Sequence, residues 1–126
     1  MKVIKKIIAS VSACAIMAMS SAVSASAASV TVPCGGANVT GSLNVYSTSA
    51  TASTSIDHLP GTVSVSIHGT YVKKGTSTTA ETGNGNGSAT GGCSATIYNG
   101  GGTWISVDST HYGYYNGQSV TFYMHG

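Results

Sequence analysis

Arginine is absent from this 126-residue chain, and charged residues make up only 6% of it. A nucleic-acid binder neutralises several phosphates with cations, and a peripheral membrane binder commonly relies on a polybasic patch. Neither supply of cations is present. Three carboxylates, Asp57, Glu81 and Asp108, are scattered along the chain, which is a poor basis for paired-carboxylate hydrolysis. No CxxC pair occurs among the three cysteines, so redox and zinc-finger readings are weak. Helix signals are nearly absent after residue 27. No cofactor-binding motif is present, and no cofactor is expected.

The first 27 residues explain most of the basic charge. Lys2, Lys5 and Lys6 precede an uncharged run from Ile7 to Met19, and Ala25-Ser26-Ala27 follows as an A-x-A site. This is the order of a secretory signal peptide, with cleavage expected after Ala27. The run is shorter than the roughly 20 apolar residues of a membrane-spanning helix, so no span is expected. Val11-Ser12-Ala13-Cys14 resembles a bacterial lipobox. However, the apolar stretch before Cys14 is very short and continues beyond it, and this fits ordinary export better. The expected organisation is therefore residues 1–27 as signal peptide and 28–126 as one secreted domain. The domain of 99 residues keeps Lys73 and Lys74 against Asp57, Glu81 and Asp108, a net charge of −1.

Sixteen of those 99 residues are Leu, Ile, Val or Phe, slightly below the ~20% that marks folded chains. Disorder usually accompanies high net charge, and here the charge is near zero. A folded domain with a thin core is expected. Cys34 and Cys93 are its only cysteines, and an even pair in an exported chain reads as one disulfide. Closing so long a loop would contribute roughly 4 kcal/mol.

Period-two alternation recurs along the domain. Val30 and Val32 begin it, before Pro33. Val39, Gly41, Leu43 and Val45 continue it, and residues 47–55 read as a loop or a polar edge strand. Leu59-Pro60-Gly61 reads as a turn. Val63, Val65, Ile67, Gly69 and Tyr71 give the clearest strand. Residues 76–92 are polar, with Asn84-Gly85-Asn86-Gly87 as a loop or hairpin tip. Cys93, Ala95 and Ile97 alternate again, and Asn99 to Gly102 is a turn. In the strand 103–108, Ile105 and Val107 share one face and Trp104 takes the other. Asn116-Gly117 is a strong hairpin signal before Val120, Phe122 and Met124. The expected fold is all-β: an antiparallel β-sandwich of about seven short strands, with a small barrel as the alternative.

Aromatic residues crowd the C-terminal end. Seven of the nine lie in the last 29 residues. Trp104 and Tyr123 fall opposite the aliphatic face, and Tyr112, Tyr114 and Tyr115 lie between them. Flat rings on a sheet face stack on the C–H surfaces of sugars, while neighbouring hydroxyl and amide groups bond the sugar hydroxyls. Trp104, Tyr112, Tyr114, Tyr115 and Tyr123 are therefore the candidate ligand-binding residues. The alternative is that Trp104 is buried between sheets and the tyrosines line a rim.

The histidines, at 58, 68, 111 and 125, lack the short spacing of zinc ligands and read as solvated surface residues; no metal site is expected. Asp108-Ser109-Thr110-His111 puts carboxylate, hydroxyl and imidazole together. Such close neighbours usually form a turn, and no GxSxG elbow is present, so no catalytic residues are expected. Leu59-Pro60-Gly61-Thr62 resembles the start of a sortase signal, but Val63 replaces the glycine that would follow. Asn38-Val39-Thr40 and Asn86-Gly87-Ser88 are glycosylation sequons in a chain whose leader looks bacterial.

No family match is close. A leader followed by a small Gly/Ser/Tyr-rich domain ending in Ser119-Val120-Thr121-Phe122-Tyr123 faintly resembles small secreted bacteriocins of the lactococcin β-sandwich type, over the last quarter of the chain. That resemblance implies a secreted effector. The residues themselves point first to a non-enzymatic extracellular binding module for a glycan or cell-surface polymer. A bacteriocin-like or toxin-like effector is second. A self-associating matrix protein is third, since uncharged polar strand edges favour strand-to-strand assembly.

Overall fold

A computed structural model describes residues 26–76 and 80–126. The leader's charged and apolar segments and Cys14 lie outside the described residues. Eight strands run in chain order: β1 Ser26–Cys34, β2 Ala37–Val45, β3 Ser49–Ile56, β4 Thr62–Val72, β5 Ala80–Thr90, β6 Gly92–Tyr98, β7 Thr103–Tyr115 and β8 Gln118–His125. They form two antiparallel four-stranded sheets, ordered β1-β2-β3-β6 and β5-β4-β7-β8. The all-β expectation holds, with eight described strands in place of about seven. Among the described residues no helix is long and apolar enough to cross a membrane.

The alternation read from the sequence sets which face is buried. Val39, Leu43 and Val45 of β2 and Val63, Val65 and Ile67 of β4 are all at most 2% exposed. Side chains from both sheets meet in each of two cores. Leu43, Ala50 and Ile97 pack with Ile67, Val107 and Met124 in one, and Cys34, Val39 and Ile56 pack with Val63 in the other.

Two strands carry little hydrophobic alternation for the same reason: their inward residues are small. β3 presents Ala50, Ala52, Thr54 and Ile56 inward and is a central strand, not a loop or an edge. β5 occupies most of the stretch read as a polar loop. It pairs with β4 from Thr62↔Thr90 to Val72↔Ala80, and Asn84-Gly85-Asn86-Gly87 lies mid-strand. Glycine normally weakens a strand interior and often marks a close backbone approach. Such an approach occurs here. A Cβ on Gly87 would meet the Ser94 carbonyl oxygen at 2.7 Å, and one on Gly85 would meet that of Thr96 at 3.4 Å. The inward glycines of β5 let the edge of the second sheet close against β6, the edge of the first.

Three connections cross between the sheets. Gly91 fixes one corner: the Ile56 N–H donates to its carbonyl at 2.9 Å, and its own N–H donates to Gly61 O at 3.0 Å. Asn99, 1% exposed, fixes another, its amide donating to Ser47 O at 2.9 Å and its side-chain oxygen accepting from the Gly101 N–H at 3.0 Å. The β7–β8 hairpin turns at Asn116-Gly117 as the sequence indicated. Both residues have positive φ, 54° and 77°, the conformation of a type I′ turn.

The expected Cys34–Cys93 disulfide is not present; both thiols are free. Register explains why. Cys93 lies opposite Thr54, Thr54 opposite Gly41, and Gly41 opposite Val30. Cys34 is therefore three strands away from Cys93, about 14 Å across the sheet at ordinary strand spacing, and is displaced further along β1. A disulfide needs Cα atoms closer than about 7 Å. The Cys34 thiol points to the carbonyls of Gln118 (3.4 Å) and Gly113 (3.7 Å), and the Cys93 thiol to that of Gly87 (3.5 Å). Burial pushes both thiols up from their ordinary pKa, which disfavours the reactive thiolate.

Candidate functional site

The outer face of the second sheet follows directly from strand register. One row runs Asn84, His68, Asp108, His125 across four strands. The next rows are Asn86, Ser66, Thr110, Tyr123, then Ser88, Ser64, Tyr112, Thr121, then Thr90, Thr62, Tyr114, Ser119. Three of the five aromatic residues singled out from the sequence stand here, exposed by 37% (Tyr112), 40% (Tyr114) and 73% (Tyr123). Tyr112 and Tyr114 are same-face neighbours on β7, about 7 Å apart. Tyr123 opposes Thr110 and so stands diagonal to Tyr112, again ~7–8 Å away. The three rings make an oblique line, bordered by hydroxyl and amide side chains.

The other two aromatics are elsewhere. Trp104 is turned inward and half-buried, its indole N–H donating to Tyr46 O at 2.9 Å. It meets Tyr71 edge-on, with centroids 5.6 Å apart, and a Cβ on Gly69 would touch its ring at 2.6 Å. The expected facing of this strand is reversed at its start. Thr70 pairs with Ser106 but Tyr71 pairs with Trp104, so the register skips a residue. This bulge ejects Ile105, which is 58% exposed, and turns Trp104 toward the core. Tyr115 is also half-buried and packs against the core cluster that holds Cys34, Val39 and Val63, with the His58 ring 5.5 Å away.

A polar row borders the tyrosines. The Asp108 carboxylate accepts from His125 Nδ1, and His68 Nδ1 bonds Asn84 Oδ1 at 2.7 Å. His68 and His125 flank Asp108 on the neighbouring strands. Among the described residues no group of three His, Cys, Asp or Glu is placed to hold a metal ion. Asp108 is the only acid on this face, and neither lysine lies on it.

The first sheet presents a different outer surface. Its hydroxyls bond one another across strands: Thr31 to Thr40 at 2.9 Å, Ser42 to Ser53 at 2.6 Å, and Thr51 to Thr96 at 2.8 Å. Groups engaged in this way have less left for a ligand. Tyr98, at the end of β6, is the only aromatic of its four strands, Ser26–Cys34, Ala37–Val45, Ser49–Ile56 and Gly92–Tyr98.

His111 overturns the surface-histidine reading. It is fully buried and stacks on Phe122, with centroids 5.1 Å apart and planes 14° apart. Its Nδ1 bonds Thr54 Oγ1 and its Nε2 bonds Ser109 Oγ, both at 2.8 Å. A neutral imidazole donates on one side and accepts on the other, and the hydroxyls adapt to either tautomer. Burial lowers the His111 pKa to about 4, with a smaller opposing effect from the Ser53 backbone. Asp108 to His111 is not a turn but the middle of β7, so Asp108 and Ser109 point to opposite faces. Ser109 and Thr54 are at most 2% exposed. The serine–histidine–threonine chain is thus sealed from solvent and satisfies its own polar groups.

At the β3–β4 corner, Asp57 accepts from the Asn38 N–H at 2.7 Å and from the Asn38 amide at 3.1 Å. The Asn38 backbone first, then His58 and the Asn38 side chain, hold its carboxyl at about 2. This is a corner clamp between β2 and the loop to β4. No family model, curated protein or solved structure matches the chain.

Proposed function

We propose that the chain is a secreted, non-enzymatic binding module whose second-sheet outer face recognises a neutral, hydroxyl-rich glycan or cell-surface polymer. The observation that carries this reading is the exposed line Tyr114, Tyr112, Tyr123 on one face of the sheet. An aromatic ring offers an apolar surface to sugar C–H groups and, in tyrosine, a hydroxyl at its rim. Serine, threonine and asparagine around the line both donate and accept hydrogen bonds. Asp108 adds a carboxylate on the neighbouring row, and carboxylate oxygens make the stronger, charge-assisted kind of hydrogen bond to a hydroxyl.

Charge selects among polymers. With one carboxylate and no lysine or arginine on the face, a polyanion finds no counterion there. Nucleic acids and phosphate-bearing polymers are therefore excluded from this reading. Export supplies the setting: the basic, apolar and small-residue order of residues 1–27 is that of a cleaved leader. The first two residues of β1 belong to that segment, and cleavage after Ala27 leaves Ala28–Cys34 paired with β2.

The test is retention of the purified chain on a panel of insoluble neutral polysaccharides and bacterial cell walls, beside an anionic polymer. Retention on a neutral matrix that soluble oligosaccharide competes away is the expected result. Retention only on the anionic polymer, or on none, contradicts the reading.

A further inference from the structure

We infer that β8 is an assembly edge, through which two copies of the chain pair antiparallel about a two-fold axis at Thr121. Such pairing makes one continuous eight-stranded sheet from two copies of β5-β4-β7-β8. It rests on strand-edge chemistry, and it extends the binding reading by setting two tyrosine lines side by side.

An open edge strand presents unpaired N–H and C=O groups, and proteins blunt such edges with proline, charge, bulges or a covering segment. The two edges on one side of this molecule are managed. The glycine column of β5 closes over β6, with Gly87 against the Ser94 carbonyl and Gly85 against that of Thr96. The ion pair Lys73–Glu81 (3.5 Å) stands at the start of β5. On the other side, β1 carries Pro33. By contrast, β8 reads Gln-Ser-Val-Thr-Phe-Tyr-Met-His, with no proline, lysine, glutamate or aspartate. Among the described residues it pairs only with β7.

Which backbone groups lie open follows from one hydrogen bond. The Gly126 N–H donates to Val107 O at 2.9 Å, continuing the β7–β8 ladder. In an antiparallel ladder, bonded and non-bonded positions alternate. Even-numbered β8 residues therefore turn their N–H and C=O toward β7, and Ser119, Thr121 and Tyr123 turn theirs to the open edge. Their side chains stand on the outer face, while Val120, Phe122 and Met124 point inward.

A two-fold pairing must keep outer residues opposite outer residues, since a one-residue slip would send the inward row to solvent. Centring it on Thr121 puts Thr121 opposite its own copy and Ser119 opposite the partner's Tyr123. All six residues then sit at bonded positions with their free groups facing. No like charges oppose across the join, and near-zero net charge gives little repulsion between copies.

The experiment needs no ligand. Sedimentation equilibrium and light scattering on the purified chain should give twice the monomer mass at micromolar concentration. Thr121→Lys places two ammonium groups opposite each other, and like charges so placed are destabilising; it should run as a monomer. Thr121→Glu should do the same, and mixing the two variants should restore the dimer. Thr121 is exposed, and circular dichroism confirms that each variant is folded. A wild-type monomer at all concentrations overturns the inference. So does growth beyond the dimer, which would mean head-to-tail addition, or a dimer that survives in Thr121→Lys. Failure of polysaccharide retention leaves this result untouched, so the two claims fail separately.

Discussion

Gly41 faces His111 across the space between the sheets, so closely that a Cβ on Gly41 would lie 2.7 Å from the imidazole Cγ and 2.6 Å from the Phe122 ring. The stacked His111–Phe122 pair thus occupies the space that a side chain at position 41 would take. Gly41→Ala has no flexible chain end to displace. Overpacking of this kind typically costs about 1–3 kcal/mol. Denaturant unfolding should show a lower midpoint with an unchanged slope.

His111 also fixes a pH dependence. Burial holds its pKa at about 4 in the folded chain, against about 6.5 for an ordinary imidazole, so the unfolded state takes up the proton first as pH falls. The stabilising contribution is complete above about pH 6.5 and is lost progressively down to about pH 4. The difference corresponds to roughly 3 kcal/mol. Urea midpoints measured between pH 7 and 4 should fall, and His111→Gln should remove that part of the slope. Asp57 acts in a lower window: its depressed pKa adds stability that disappears as pH falls through about 2.

The seam between β5 and β6 predicts a contrast within one strand. A Cβ on Gly87 meets backbone at 2.7 Å, whereas one on Gly83 meets its nearest atom at 3.6 Å, an ordinary contact. Gly87→Ala should destabilise by about 1 kcal/mol or more, and Gly83→Ala should be neutral or slightly stabilising because it restricts the unfolded chain. Thermal melts of the two variants read the difference. Equal effects would mean that the seam is not closed as described.

Thiol chemistry separates the observed register from a bridged alternative. With Cys34 and Cys93 on strands three positions apart, both should react with a thiol reagent once the chain is unfolded without reductant. Dithiothreitol should leave the melting temperature unchanged. A reductant-dependent fall in melting temperature would show a bridge that this register forbids.

The legible parts of this fold are those with large inward side chains. Val39, Leu43 and Val45 declared β2, Val63, Val65 and Ile67 declared β4, and Asn116-Gly117 declared the last hairpin. β3 and β5 were hidden because Ala50, Ala52 and the glycines of 83–87 bury backbone rather than side chain, so the alternation carries no hydrophobic signal. Trp104 was misplaced because a bulge shifts the alternation by one residue, and bulges leave no mark in period-two patterning. Tyr112 and Tyr114 could be read as same-face neighbours from their spacing alone. That Tyr123 joins them required the β7–β8 register, which the Asn116-Gly117 turn sets. The burial of His111 had one available signal, its same-face spacing with Val107 and Ser109 on a strand longer than expected.

Binding is assigned to the tyrosine face of the second sheet, and variants on the two faces separate it from the rest of the molecule. Retention on the best-binding neutral polysaccharide is measured for the wild type, for Tyr112→Ser/Tyr114→Ser/Tyr123→Ser, for Trp104→Phe and for Thr51→Ala/Thr96→Ala on the opposite sheet. The triple variant should melt close to the wild type and lose retention at least tenfold. Trp104→Phe, which loses the indole bond to Tyr46 O, should melt lower and retain binding, and the Thr51/Thr96 variant should bind normally. Retention that survives the triple variant, or that is lost only with the opposite face, would mean that the tyrosine face is not the binding surface.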